Sequence, residues 1–260
     1  MHPHTAHIDG FAYGWVNPAL SYLIACTGAA LGLRCTVRAL TLPPARRLGW
    51  LVLSAVELGC GIWTMHFMAM MGFAVTGSAI VYRVPETLGS LLLAILVVGA
   101  GVLYVGYRRR TVASLLIGGT VTGLGVAAMH YVGMAAMQVQ GKVSYDPALV
   151  ALSVAIAVAA ATAALWMTLN ITGFGASLAA SLIAGVAVTA MHYTGMAAVS
   201  VELDDRVPPG GLPASQFIVP LAVAIMAVIS IGGFVLTLSP QEQTPAPARE
   251  PLRVKLFDRG

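Results

Sequence analysis

Charged residues are scarce in this 260-residue chain: Asp, Glu, Lys and Arg make up 9% of it, and apolar residues make up 58%. A soluble domain carries about 25% charged residues. The scarcity excludes an ordinary soluble fold and indicates a polytopic membrane protein. The formal net charge of +4 does not indicate nucleic-acid binding, because most basic residues flank apolar spans, where they set membrane orientation.

Cysteine is also rare, with only Cys26, Cys35 and Cys60, and these have no paired short spacing. This excludes a disulfide framework and a zinc site of the CxxC kind. Residues 1–12 contain no Lys or Arg, and the apolar span that follows continues for about 20 residues. We therefore expect this span to be retained and not cleaved as a signal peptide.

Long apolar segments dominate the rest of the chain, and each is long enough to cross a bilayer as a helix. We predict an all-α membrane protein with seven transmembrane helices, arranged as three repeated pairs and one further helix. The segments are 14–34, 48–75, 88–107, 112–137, 147–168, 174–199 and 217–238. Two pairs open with a polar residue before proline, at Asn17 and Asp146, which predicts helix caps at both positions.

Basic residues are concentrated in alternate connections, which predicts an N-terminus outside and a C-terminus in the cytoplasm. We expect an outward-facing tail at 1–13, a membrane domain at 14–238 and a disordered cytoplasmic tail at 239–260. The cytoplasmic basic residues are Arg34, Arg38, Arg46, Arg47, Arg108, Arg109, Arg110, Arg249, Arg253, Lys255 and Arg259. The other side carries Arg83, Lys142 and Arg206.

One hexapeptide occurs three times, as MHFMAM at 65–70, MHYVGM at 129–134 and MHYTGM at 191–196. Each copy ends an even-numbered span on the predicted outer side. Its His and final Met are four residues apart, so they share one helical face. A glycine lies seven residues before each His, where it lets a neighbouring helix approach closely. These glycines are Gly59, Gly123 and Gly185.

Imidazole nitrogen with thioether sulfur is a ligand set that suits copper, since Met favours Cu(I) and His accepts both oxidation states. Zinc more often recruits Cys or carboxylate, and haem or other iron held by His and Met remains an alternative. The opposing interpretation is that these Met fill core gaps and these His bond neighbouring helices. Three copies at one depth favour metal binding. The expected ligands are His66, Met70, His130, Met134, His192 and Met196.

Two further features carry ionisable groups. Glu57 lies on the helical face opposite His66 and about 13 Å deeper, so we expect it to serve a proton relay or a helix–helix hydrogen bond instead of the metal. The N-terminal His2, His4 and His7 are either a solvated end or a weak metal-capture tail.

The triplicated motif, with two copies reading Met-His-Tyr, resembles the bacterial MHYT family of integral membrane sensors over residues 14–238. The resemblance implies a location in the bacterial inner membrane, copper ligands at the His and Met positions, and sensing of oxygen, carbon monoxide or nitric oxide. The first copy differs by carrying Phe67 and Met68. Many members of that family continue into domains that make or hydrolyse cyclic di-GMP, or into a kinase, whereas this sequence ends after a short tail. We therefore expect it to signal to a separate cytoplasmic partner.

Three functions are therefore considered. The first is a copper-dependent membrane sensor of a diatomic gas or of redox state. The second is a copper binding, storage or transfer protein at the outer membrane face. The third is a metal-dependent membrane oxidoreductase, for which no substrate or second-cofactor signature is found. We expect a signal-transduction protein that is not an enzyme, and the sequence leaves open whether the three motifs converge on one metal.

Overall fold

The computed structural model describes residues 6–170, 173–204 and 209–239. Seven of its helices are long and apolar enough to cross a membrane, which confirms the predicted helix number. They are α1 (Val16–Thr41), α2 (Leu48–Met70), α3 (Val84–Tyr107), α4 (Val112–Ala136), α5 (Pro147–Asn170), α6 (Phe174–Ala197) and α7 (Ile218–Leu238). A short 3-10 helix, Pro44–Arg46, joins α1 to α2.

Two predicted boundaries differ from the structure by five residues or more. The first helix continues to Thr41, beyond the predicted end at residue 34, because Arg34 and Arg38 extend it past its apolar part. The second helix ends at Met70, five residues before the predicted end at 75. The chain turns there because Ala74 and Val75 form a strand. The predicted tail at 239–260 lies almost wholly outside the described residues.

Helices α1 to α6 form a closed ring, in which each packs against the next and α6 packs against α1. Helix α7 lies outside this ring against α2 and α1. The ring places three similar helix pairs around one axis, and the seventh helix is attached to the first pair. The predicted arrangement of three pairs and one further helix is thereby confirmed.

Two kinds of interface alternate around the ring. At the first, the start of an odd helix is tied to the end of the even helix that follows it: Arg83 N donates to the carbonyl of Ala136 and Asp146 N donates to that of Ala198. Asp146 also caps α5, because its carboxylate accepts from Ala148 N and Leu149 N.

Asn17 does not have the capping role that we predicted for it. It lies inside the first turn of α1, and its side-chain amide donates to the carbonyl of Met68 at 3.1 Å. This bond ties the start of α1 to the end of α2, in addition to the backbone bond that Ala12 N donates to the carbonyl of Gly72.

The second kind of interface depends on the three glycines that precede the histidines by seven residues. A Cβ atom at Gly59 would lie 2.7 Å from Ile95 Cα of α3, and one at Gly123 would collide with Val158 Cα of α5. A Cβ at Gly185 would meet Cys26 Sγ of α1. Each even helix therefore approaches the next odd helix around the ring closely, and for α6 this neighbour is α1. Close approach at these glycines is what their spacing predicts.

The motif end of the ring is covered by short antiparallel strands, which the apolar pattern of the sequence does not predict. Three sheets form this cap. They pair β1 (Ile8–Asp9) with β2 (Ala74–Val75), place β3 (Val81–Tyr82) between β4 (Met137–Gln138) and β7 (Leu212–Pro213), and pair β5 (Gly141–Tyr145) with β6 (Val199–Leu203). Part of the N-terminal segment is thus a strand of the cap.

Candidate metal centre

The three motif histidines meet on the axis of the ring. His66 of α2, His130 of α4 and His192 of α6 are almost completely buried, and they form a cluster in which one ligand atom from each lies within 4.8 Å of the others. The structure therefore brings together three residues that are 64 and 62 positions apart in the chain. The sequence leaves this convergence open, and the structure shows it.

The imidazoles converge through their Nδ1 atoms. His66 Nδ1 lies 3.0 Å from His192 Nδ1 and 3.1 Å from His130 Nδ1. The three rings stand nearly perpendicular to one another, with centroids 4.9 to 5.1 Å apart. Each ring therefore directs an edge nitrogen, and not its face, at the shared centre.

This arrangement fits a metal ion better than a hydrogen-bonded cluster. A neutral imidazole nitrogen carries either a proton or a lone pair, so one proton on His66 cannot satisfy both neighbouring Nδ1 atoms well. A cation at the centre would face all three lone pairs. Nitrogens that share an ion at about 2.0–2.1 Å lie roughly 3 to 3.5 Å apart, which matches the observed spacing.

The opposite ring nitrogens explain the glycine in the second and third motifs. The Nε2 atoms of His66, His130 and His192 are buried and have no hydrogen-bond partner among the described residues. A Cβ at Gly133 would lie 2.5 Å from His66 Nε2, and one at Gly195 would collide with His130 Nε2. The missing side chain at Gly133 and Gly195 thus makes room for the histidine of the preceding repeat.

The motif methionines lie one turn beyond their histidines toward the cap. Met70, Met134 and Met196 are buried in one apolar cluster, so the structure collects them as it collects the histidines. Metal ligation by their sulfurs stays a prediction. Of the methionines that directly precede the histidines, Met65 and Met191 belong to other apolar clusters, whereas Met129 shares the cluster of the motif-final methionines.

The aromatic residue after each histidine stacks edge-on against it. Phe67, Tyr131 and Tyr193 lie with ring centroids 4.7 to 5.1 Å from His66, His130 and His192 respectively. Each aromatic ring therefore restricts the rotation of its own imidazole. This contact favours a role in holding the site over an interfacial aromatic belt.

The aromatic ring of the second motif is held by a hydrogen bond of its hydroxyl group, and the first repeat has a tryptophan hydrogen bond instead. Tyr131 Oη lies 2.6 Å from Ser153 Oγ of α5. Phe67 has no hydroxyl, and in the first repeat Trp63 Nε1 donates to Ser90 Oγ of α3 at 2.9 Å. A serine of the adjacent odd helix is bonded in both cases.

Glu57 lies apart from the triad, as the sequence predicts. Its side chain is fully buried, and neither carboxylate oxygen has a partner among the described residues. A Cβ at Gly232 of α7 would collide with Glu57 Oε1. The carboxyl group therefore points at the seventh helix. This contact connects the ring to α7.

A pocket of about 430 Å³ opens under the cap, next to the first motif. Met70 and Met71 line it together with Asn17, Tyr13 and Tyr82. Burial raises the pKa of Tyr82 above its ordinary value, so this phenol stays neutral. Of the three N-terminal histidines, His7 is exposed, and His2 and His4 lie outside the described residues.

Comparisons with known proteins agree with the repeated architecture. The family model described as "MHYT: Bacterial signalling protein N terminal repeat" matches residues 59–118, 123–181 and 185–248. Each matched stretch begins at the glycine seven residues before a motif histidine. The first two matched stretches run from the motif-bearing half of an even helix through the odd helix that follows it, which the close glycine interface joins. The third runs from α6 into α7, whereas Gly185 packs against α1.

The curated proteins similar to this chain include signalling proteins of two bacteria. It is 33% identical over 230 residues to the bifunctional diguanylate cyclase/cyclic di-GMP phosphodiesterase MucR of Pseudomonas aeruginosa, covering 84% of this chain and 33% of that protein. It is 37% identical over 201 residues to the cyclic di-GMP phosphodiesterase NbdA of the same organism, covering 75% and 25%. It is 31% identical over 223 residues to an uncharacterized signaling protein of Caulobacter vibrioides, covering 80% and 25%.

The chain spans a third or less of the length of these relatives. No solved structure matches it significantly.

Proposed function

Because this chain belongs to the MHYT family of bacterial signalling proteins, as its motif predicts, we propose that it is a sensor in the inner membrane whose three histidines hold a copper ion. One observation carries the proposal: three buried imidazoles direct their Nδ1 atoms at one point. Such a cluster is expensive to bury without a cation, because its nitrogens cannot all be satisfied by hydrogen bonds.

The donor set favours copper over the alternatives. Imidazole accepts copper, zinc or iron, and the three methionines one turn away bias the site toward Cu(I). A haem is disfavoured because the three rings are in mutual contact and leave no space for a macrocycle between them. Calcium and magnesium need oxygen ligands, and the cluster has none.

The site joins one helix from each of the three repeats. Copper would supply redox chemistry and an affinity for diatomic gases at the centre. The protein would hold the imidazoles, exclude water and carry changes in their positions along α2, α4 and α6. Since α7 packs against α2 and α1, a shift of α2 would reach the seventh helix and, from there, the cytoplasmic side.

The signal would then pass to a cytoplasmic partner. Two of the relatives carry names that include synthesis or hydrolysis of cyclic di-GMP, and this chain matches only a third or less of their length. We propose that its own contribution is sensing.

Metal analysis of the detergent-purified protein tests the proposal. We expect copper in the wild type, loss of most of it in His130→Ala, and unchanged content in His7→Ala, whose histidine is exposed and lies outside the cluster. Zinc in place of copper would contradict the choice of metal. Equal metal content in wild type and His130→Ala would contradict the site.

A second function is favoured by the pocket beneath the cap. Met70 and Met71 present thioethers beside the site, as a protein that receives copper at the outer face would require. Deleting residues 2–9 or changing Met71 to Leu would then lower copper tolerance in cells. Unchanged tolerance in both variants, together with a normal response to gas, would leave only the sensor proposal.

A further inference from the structure

An apolar cavity of about 90 Å³ lies inside the helix ring. All six ring helices contribute to its wall, and the described lining residues are buried or half-buried. Helix α5 contributes most, through small side chains that include Ala157 and Ala161. The cavity exists because alanines face the axis where larger residues would fill it.

The cavity lies directly beneath the histidine triad. Ile62, Val126 and Val188 line it, and each precedes its motif histidine by four residues. Residues four apart share one face of a helix, one turn apart. The wall of the cavity on these three helices is therefore one turn below the imidazoles, on the side away from the cap.

The chemistry of the wall keeps water out. Its only hydroxyl groups among the described lining residues belong to Thr122 and Thr168, and Thr168 already donates to the Ala164 carbonyl. A buried water needs two to four polar partners, and an apolar cavity of about 150 Å³ in another protein stays dry and binds benzene or xenon. A cavity of 90 Å³ with one free hydroxyl suits a smaller apolar molecule.

We propose that this cavity is a binding site for a small apolar diatomic molecule, and that it supplies such a molecule to the triad from the membrane side. Diatomic gases dissolve readily in lipid hydrocarbon, whereas the cap of short strands covers the triad from the other side. The supply role rests on the proposed function, because it requires a metal at the triad. The binding site itself does not.

Xenon NMR of the full chain in lipid nanodiscs tests the binding site. We expect saturable xenon binding with and without metal. Binding should be lost in Ala161→Phe and Ala157→Leu, which fill the cavity, and kept in Ala159→Leu, whose side chain is exposed on the outer surface of α5. The proposal would be overturned if the wild type showed no saturable xenon binding, or if xenon binding persisted in both filled variants.

Carbon monoxide association with the reduced, copper-loaded protein tests the supply role. In Ala161→Phe we expect unchanged copper content and about tenfold slower association, equivalent to about 1.4 kcal/mol in the barrier. An unchanged rate in both filled variants would overturn the supply role and leave the sensor proposal standing. Xenon binding without any uptake of carbon monoxide would contradict the sensor proposal and support the cavity as a site.

Discussion

Gly133→Ala is expected to weaken metal binding although residue 133 is not a ligand. The added Cβ would lie 2.5 Å from His66 Nε2, and ordinary contact requires about 3.5 Å. The imidazole would have to move by about 1 Å. Since its Nδ1 lies 3.0 and 3.1 Å from the other two Nδ1 atoms, such a movement would spoil the shared geometry. Changes in groups that position metal ligands cost about 10–100-fold in affinity, and we expect a loss in this range.

The stability of this variant separates the steric effect from helix propensity. Ala is favoured over Gly in a helix by about 1 kcal/mol, whereas overpacking costs about 1–3 kcal/mol. Gly89→Ala in α3 is the matched control, because a Cβ there meets nothing within 4 Å. We expect the control to be as stable as the wild type or more stable, and Gly133→Ala to be less stable than the control by about 1–3 kcal/mol.

Copper affinity of these variants is measured by competition with a chelator, and stability by thermal unfolding in the same detergent. The first motif carries Ala69 at the equivalent position, so Ala69→Gly is a reciprocal variant that should not weaken binding. If Gly133→Ala bound copper as tightly as Gly89→Ala, the reasoning about the Nε2 contact would be refuted.

Four further predictions follow from the same structure. Because Nδ1 faces the centre, His130→Asn, whose amide approximates the Nδ1 position, should retain more metal than His130→Gln, as metal analysis would show. Tyr131→Phe removes the bond to Ser153 and should lower the free energy of unfolding by about 0.5–1.5 kcal/mol while the metal content stays the same. Glu57→Gln should leave metal content unchanged, since Glu57 is not in the cluster; a loss of metal would contradict this separation. Reporter fusions in the basic connection at Arg109 should report the cytoplasmic side, and an external location would reverse the predicted orientation.

The extent of the helices and the depth of the repeated motif could be predicted from the sequence, because span length and apolar composition encode them directly. The glycines before the histidines were also informative, since close helix packing in a membrane needs small residues. The rotation of each helix about its axis was harder to predict. In a bilayer the lipid-facing side and the axis-facing side of a helix are both apolar. The sequence of α4 therefore does not reveal that His130 faces the axis.

Other features depend on partners distant in the chain. The strands of the cap are mostly two residues long, and their pairing is set by where the helix ends bring them. Asn17 precedes proline as a cap residue does, yet its amide bonds the carbonyl of Met68 because α2 ends beside it. The role of Gly133 became visible only once His66 of another repeat was placed against it.

The metal-to-protein ratio of the purified, copper-saturated chain tests the central claim most directly. If the three histidines share one centre, the tightly bound copper should amount to one ion per chain, and His66→Ala, His130→Ala and His192→Ala should each abolish it. Three independent ions per chain, each lost with only its own histidine, would contradict the convergent site.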